Sequence, residues 1–257
     1  MIVRGRTLRA DGVLVRRRLQ ASYPVVARVD ALNLTVFAWR AFDGVEHHVQ
    51  ARARTTTSAE PMRRKTVSVA GTNASAPRLG VDAAGNALIV WSASDGTNSR
   101  IRLRVRSAAG VWNDVEKLSV FGQDAVDPQI AVDAAGNAVI VWTRFDGANN
   151  RVQIRRRAAD GTLSAVQTLS VAGFDASAPR VAVTATGDAV VTWVLDDGAN
   201  SRVQVRTRAA AGVRTAIATL SSPGEDAFSA RVAAEPGGNA IVVYETGAGV
   251  IVGHTGP

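Results

Sequence analysis

The stretch DAAGNAVIVWTRFDG, Asp133 to Gly147, decides the fold, because near-copies of it recur along the whole chain. Counted on Trp142, the equivalent positions are Trp39, Trp91, Trp193 and Tyr244, at separations of 52, 51, 51 and 51 residues. Five residues before each stand Leu34, Asn86, Asn137, Asp188 and Asn239. Four residues after the first four come Asp43, Asp95, Asp146 and Asp197, each followed by glycine. A second series, Gly71, Gly122, Gly173 and Gly224, keeps the same step and leads, two residues on, to Asn73, Asp124, Asp175 and Asp226. A unit of about 50 residues is too small to bury its own apolar surface, so such a period points to a solenoid or propeller whose units stack.

Each unit reads as four short strands. In the second copy these are Pro77 to Asp82, Ala87 to Ser92, Arg100 to Arg106 and a fourth near Val115 to Val120, divided by the turns AAGN, Asp95-Gly96 and Ala109-Gly110. RIRLRVR alternates charged and apolar residues at the strand period of two. Fourth strands are expected again at residues 164–171 and 215–222. An antiparallel meander of this kind is one blade of an all-β propeller. The chain enters the repeat halfway, with Ala10-Asp11-Gly12 aligning on Ala159-Asp160-Gly161, and leaves it halfway. The reading is therefore a single five-bladed β-propeller domain over residues 1–257, with blades at 21–72, 73–123, 124–174 and 175–225 and a composite blade of 226–257 with 1–20. Pairing of N- and C-terminal strands would close the ring and remove exposed sheet edges. One alternative within that scheme makes Val250 to Gly253 the third strand of the last blade.

The chain has 257 residues, of which 46% are hydrophobic, enough for a substantial core. Its net charge of +8 comes almost wholly from arginine, since Lys65 and Lys117 are the lysines. The arginines are spread along strands (Arg52 and Arg54; Arg102, Arg104 and Arg106; Arg155 and Arg157; Arg206 and Arg208) without the interleaved aromatics of a single-strand nucleic-acid surface, so nucleic acid is not the expected partner. Those side chains are expected to face solvent or the flank of the next blade. Cysteine is absent, which excludes disulfides and cysteine metal sites. No run reaches the roughly 18 apolar residues of a membrane helix. The N-terminus does not read as a signal peptide, and a secreted or cell-surface location is an expectation only from the kind of repeat.

Gly and Asn in the DAAGN turns tolerate the positive φ of tight hairpins. Trp39, Trp91, Trp142, Trp193 and Tyr244 end an apolar strand and are expected to pack between blades. Trp112 lies outside that register and is the better candidate for an exposed ring. The second-to-third-strand loops and the blade-to-blade connections should open on one face. That face would gather Asp43, Asp95, Asp146 and Asp197, the amides Asn98, Asn149 and Asn200, and Asn73, Asp124, Asp175 and Asp226 as ligand-binding candidates. Repeated polar groups suit hydrogen bonding to a glycan, whereas DGTNSR and DGANNR lack the Ca²⁺-loop pattern.

No GxSxG, HExxH, GxxxxGK[ST] or GxGxxG motif is present, and His47, His48 and His254 make no recognisable set. No catalytic residue, metal or cofactor is assigned. The copies PRLGVDAAGNALIVW, PQIAVDAAGNAVIVW and PRVAVTATGDAVVTW, from Pro77, Pro128 and Pro179, resemble the repeat of poorly characterised, often secreted bacterial β-propeller-like proteins. That resemblance implies the fold and brings no substrate, partner or catalytic residue; the Asp-box pattern of sialidase-type blades and the double glycine of kelch blades do not match. The expectation is a monomeric, non-enzymatic binding or scaffold propeller with a glycan or protein ligand. The alternatives are a glycan hydrolase or lyase working at the central channel, and a purely structural, truncated or engineered repeat array.

Overall fold

The computed structural model describes residues 4–8, 14–18, 20–29, 32–55, 64–235 and 238–256. All their regular elements are β-strands, arranged as consecutive antiparallel meanders. The first full sheet is β3 (Gln20–Val29), β4 (Leu34–Phe42), β5 (His47–Thr55) and β6 (Lys65–Thr66). The second is β7 (Ser75–Val81), β8 (Ala87–Ser94), β9 (Ser99–Arg106) and β10 (Glu116–Lys117). The third is β11 (Ala125–Val132), β12 (Ala138–Phe145), β13 (Asn150–Arg157) and β14 (Gln167–Thr168). The fourth is β15 (Ala176–Val183), β16 (Ala189–Asp196), β17 (Ser201–Arg208) and β18 (Ala218–Thr219). The fifth has three strands, β19 (Ala227–Ala234), β20 (Ala240–Thr246) and β21 (Ile251–Gly256). Ahead of them, β1 (Arg4–Leu8) pairs with β2 (Leu14–Arg18) in a sheet of its own.

The core lies between sheets, and the sequence shows why. Second strands such as ALIVWSAS are apolar on both faces because each face meets a different neighbouring sheet. Leu88 and Val90 of the second sheet pack on Ile140 and Trp142 of the third, and Val139 and Val141 of the third pack on Val191 and Trp193 of the fourth. Trp91, Trp142 and Trp193 are fully buried, and Trp39 and Tyr244 nearly so. Trp91, Trp142, Trp193 and Tyr244 lie in clusters that join adjacent sheets, whereas Trp39 lines a cleft on the first sheet. Trp142 and Trp193 donate Nε1–H to the cross-strand Gln153 and Gln204 at 3.2 and 3.0 Å. First strands pack in series, β3 on β7, β7 on β11, β11 on β15 and β15 on β19, which is the succession of a propeller-type arrangement.

Three expectations need revision. The fourth strands are only two residues long, because the Ser119 and Ser170 hydroxyls accept from Ile101 N and Val152 N at 3.0 and 3.1 Å in place of a ladder carbonyl, while Leu118 and Leu169, still bonded to Ile101 O and Val152 O, fill the space between sheets. The third strand of the last sheet is formed by β21, the alternative reading of the C-terminal segment. The N-terminal strands pair with each other and are not part of that sheet, and among the described residues β19 makes no comparable packing on β3. The outer faces are correspondingly bare. Val243 is 36% and Ile241 38% exposed, whereas their equivalents Thr192 and Val190 are 0% and 4% exposed. At the other end Tyr23 and Val26 of β3 are exposed, beside an apolar cleft of about 240 Å³ walled by Pro24, Val25, Phe37 and Trp39.

Removing a fully enclosed indole leaves a cavity that two stacked sheets cannot collapse. Trp142→Ala is therefore expected to lower unfolding free energy by about 3–5 kcal/mol in urea denaturation, whereas a loss below about 1 kcal/mol would contradict the inter-sheet core.

Candidate functional site

Hydrogen bonds tie the second-to-third-strand loops to the blade connections on one face. Asp124 Oδ1 accepts from Ser99 N at 2.7 Å, Asp175 Oδ1 from Asn150 N at 2.7 Å and Asp226 Oδ1 from Ser201 N at 2.8 Å. Asn73 Oδ1 accepts from His47 N at 3.2 Å in the same place. The loop aspartates close their own turns. Asp146 Oδ1 accepts from Ala148 N and Asn149 N at 3.0 and 2.9 Å, Asp95 Oδ1 from Thr97 N and Asn98 N at 3.1 and 2.9 Å, and Asp197 Oδ1 from Ala199 N and Asn200 N at 3.0 and 2.7 Å. Their second oxygens meet Arg151, Arg100 and Arg202 at 3.0, 3.2 and 3.3 Å. In the divergent first copy Asp43 binds Val45 N and Glu46 N, and His48 Nε2 at 2.6 Å takes the place of the arginine.

These bonds favour the ionised carboxylate. The Asn149 and Ala148 amides, then Arg151, hold Asp146 down at about 2. Asp43, Asp95 and Asp197 are also lowered, first by the backbone amides of Glu46, Asn98 and Asn200. The side-chain amides of Asn98, Asn149 and Asn200 make no hydrogen bond among the described residues and are half-buried. The strand end before one of these loops and two of the blade connections expose Phe145, Phe121 and Phe174. Phe121, 79% exposed, carries the Arg100 guanidinium 4.5 Å from its ring centre. Arg144 donates to Val120 O at 2.7 Å and Phe121 O at 3.2 Å.

A second set of polar residues lies where the first strands meet, and sequence reasoning missed it. Each first strand is bulged at a non-glycine residue of positive φ: Tyr23, Ala76, Asp127, Ala178 and Ser229. Two residues later come Val25, Arg78, Gln129, Arg180 and Arg231. Arg78 Nη2 lies 3.5 Å from Asp127 Oδ1, and Arg180 Nη1 lies 3.8 Å from Asp127 Oδ2. Gln129 accepts from Arg78 Nε at 3.1 Å and donates to Asp127 Oδ1 at 3.1 Å. Burial lowers the Arg180 pKa, Asp127 opposes that shift, and the neighbouring Arg231 and Arg78 add to it. The available signal was the polar residue directly after each proline, in PRL, PQI and PRV.

The remaining candidates have structural partners. Arg155 donates Nε–H to Ser164 O at 2.7 Å and Nη1–H to Leu118 O of the preceding sheet at 2.8 Å; Arg206 repeats this with Thr215 O at 2.7 Å and Leu169 O at 3.0 Å, and Arg104 with Asn113 O at 2.7 Å and Val67 O at 3.4 Å. Arg157 binds Glu116 through Nε and Nη2, and Arg208 Nε binds Gln167 Oε1 at 2.8 Å. These arginines thus staple each sheet to the one before it, not to the next. Trp112 is half-buried with Arg104 over its ring at 5.8 Å. His254 stacks on Tyr244 at 5.7 Å. Among the described residues no three metal-ligating side chains converge, and no helix is long and apolar enough to cross a membrane.

Neither a family profile nor a curated protein matches the chain. Solved structures do match. The Penicillium chrysogenum α-L-arabinanase, solved with arabinobiose, superposes with a TM-score of 0.57 at 11% identity, over 88% of this chain and 77% of that one. An ulvan lyase gives a TM-score of 0.57 at 10% identity, over 91% and 64%. The Dos1 propeller gives 0.50 at 11% identity, over 93% and 55%. At these identities the likeness establishes the fold, a β-propeller type, and nothing finer.

The turn carboxylates give a pH signature. A lowered folded-state pKa adds stability that is complete above the unfolded value, 3.8, and is lost as pH falls through about 2 for Asp146. Denaturant midpoints are expected to be flat above about pH 4 and to fall below it, and Asp146→Asn should make that fall shallower. An unchanged acid slope in the variant would remove Asp146 from the acid response.

Proposed function

We propose that the chain is a single-domain, monomeric, five-bladed β-propeller that binds a glycan across its loop face without chemical conversion. The observation that carries this reading is the composition of the loops and connections: their aspartates are committed to turns, while Asn98, Asn149 and Asn200 keep open amides and Phe121, Phe145 and Phe174 are exposed. Amides satisfy sugar hydroxyls and aromatic faces pack on sugar C–H groups, the pairing expected of a carbohydrate surface. In this reading Asp43, Asp95, Asp146 and Asp197, with Asn73, Asp124, Asp175 and Asp226, hold the loops in position for the ligand.

The ring closure in this proposal is supported by two bare apolar faces of matching character, Ile241 and Val243 at one end and Tyr23 and Val26, beside half-buried Phe37, at the other. Bringing them together would bury what the five-sheet succession leaves open. Blade limits of 21–72, 73–123, 124–174 and 175–225 remain part of the same proposal, in which closure would bring β1 and β2, here paired with each other, to the last sheet so that 226–257 and 1–20 share it.

A second reading, a glycan hydrolase or lyase at the central channel, has its own support. Unlike groups gather at the first strands, and the arabinanase and ulvan lyase that share the fold act on glycans. Hydrolysis ordinarily uses two carboxylates about 5–9.5 Å apart, whereas Asp127 is the one carboxylate in the cluster described above.

Glycan-array binding, with and without Ca²⁺, tests the first reading. A defined glycan class should be retained by the wild type and lost, by about tenfold or more, in the Asn98→Ala, Asn149→Ala, Asn200→Ala triple variant; binding accompanied by new reducing ends or unsaturated products would favour the enzyme. Closure is tested separately by Val243→Asp. In a closed ring it should cost more than about 2 kcal/mol through burial of an unpaired charge, and in an open arc it should change stability by less than about 0.5 kcal/mol.

A further inference from the structure

The bulged first strands place two guanidinium groups, Arg78 and Arg180, against a single carboxylate, with a third, Arg231, as a neighbouring charge of Arg180. Arg78 and Arg180 have side chains 27% and 25% exposed, and Asp127 is 36% exposed, so the group is partly withdrawn from water yet reachable. Three cations against one anion leave the cluster with unbalanced positive charge, which a self-contained structural ion pair would not need. The geometry is also slack. Separations of 3.5 and 3.8 Å to Asp127 are long beside the ~2.7–2.9 Å of a tight charged hydrogen bond.

The guanidinium groups are nonetheless held in position. Arg78 Nη1–H donates to Pro77 O at 3.0 Å, Arg180 Nη1–H to Pro179 O at 2.7 Å and Arg231 Nη1–H to Ala230 O at 2.9 Å, the same bond in three blades. The bulge exposes the carbonyl that makes this bond, so a local strain present in all five first strands serves to aim an arginine in three of them. Nε–H and Nη2–H of both Arg180 and Arg231 make no hydrogen bond among the described residues, leaving the forked side that recognises carboxylate or sulfate oxygens. Little ordering remains to be done when an anion arrives.

We propose that Arg78, Arg180 and Arg231 form an anion-binding centre for the carboxylate or sulfate group of an acidic glycan, with Asp127 as the internal counter-ion that the ligand's charge displaces. The identity of the ligand as a glycan rests on the reading above; the anion centre rests on the arginine geometry.

The test measures binding of labelled polygalacturonate, labelled dextran sulfate and neutral arabinan, together with thermal protection by inorganic sulfate. Wild type should bind at least one acidic polymer, and their ratio separates carboxylate from sulfate preference. Arg180→Gln should weaken that binding about tenfold and Arg78→Gln with Arg180→Gln further, in keeping with loss of charge-assisted hydrogen bonds. Asp127→Asn should strengthen it about threefold by removing a competing charge. The Arg52→Gln, Arg54→Gln variant, which loses the same charge from exposed positions on β5, should bind like wild type. Equal losses in the two double variants, or none in Arg180→Gln, would overturn the centre. Should the inner double variant fail to fold, Arg231→Gln, at an exposed residue, replaces it with the same expected direction. Sulfate protection lost in Arg180→Gln without binding of any glycan would uphold the anion centre and end the glycan reading. Arabinan binding unaffected by every variant, without sulfate protection, would do the reverse.

Discussion

The structure depends on burial between sheets. No sheet owns a core: Trp142 and Ile140 are covered by the second sheet, while Val139 and Val141, on the other side of the same strand, are covered against the fourth. This is why the second strands of the second and third sheets run apolar without a break up to Trp91 and Trp142 although their neighbours alternate. It is also why the bare faces of Val243 and Ile241 matter more than single exposed residues elsewhere. A face built to be covered differs from a surface built for water.

The polar layer follows from that stacking. Sheets that meet through apolar faces still have to be held at their rims, and the chain uses arginine for this: Arg104, Arg155 and Arg206 each reach a carbonyl of the preceding sheet. The net charge of +8 is accordingly spread over inter-sheet contacts and does not form a basic stripe. On the loop face the aspartates act on backbone amides, which leaves the Asn98, Asn149 and Asn200 amides and the irregular Phe121 as the chemically open groups. At the first strands the balance is reversed, with arginines in excess around Asp127.

Much of this was legible in the residues themselves. Second and third strands could be placed within a residue or two because an apolar run and an Arg-alternating run are bounded by Asn- and Asp-containing turns. Fourth strands could not, since VEKLSV alternates like a full strand and does not reveal that the Ser119 hydroxyl takes the Ile101 amide and ends the ladder. The pairing of the N-terminal strands was also beyond local pattern, because either partner satisfies the same alternation. The turn role of the DAAGN residues was visible, and Asn137 indeed joins Asp133 Oδ2 to Ala159 N. The arginine cluster was hidden by the very regularity that revealed the fold. Asp127 stands where other copies have Tyr, Ala or Ser, and a search for what repeats passes over it.

The arginine staples carry a consequence for how the molecule comes apart. Because Arg155 joins the outer rim of one sheet to the fourth-strand segment of the previous one, and Leu118 plugs the same seam, the smallest group of residues that satisfies its own bonds is offset by about half a sheet from the meander seen by eye. Slow amide exchange would then be shared across seams and not within single sheets. A blade exchanged between two such proteins would carry its contacts intact only if cut in the middle of a meander.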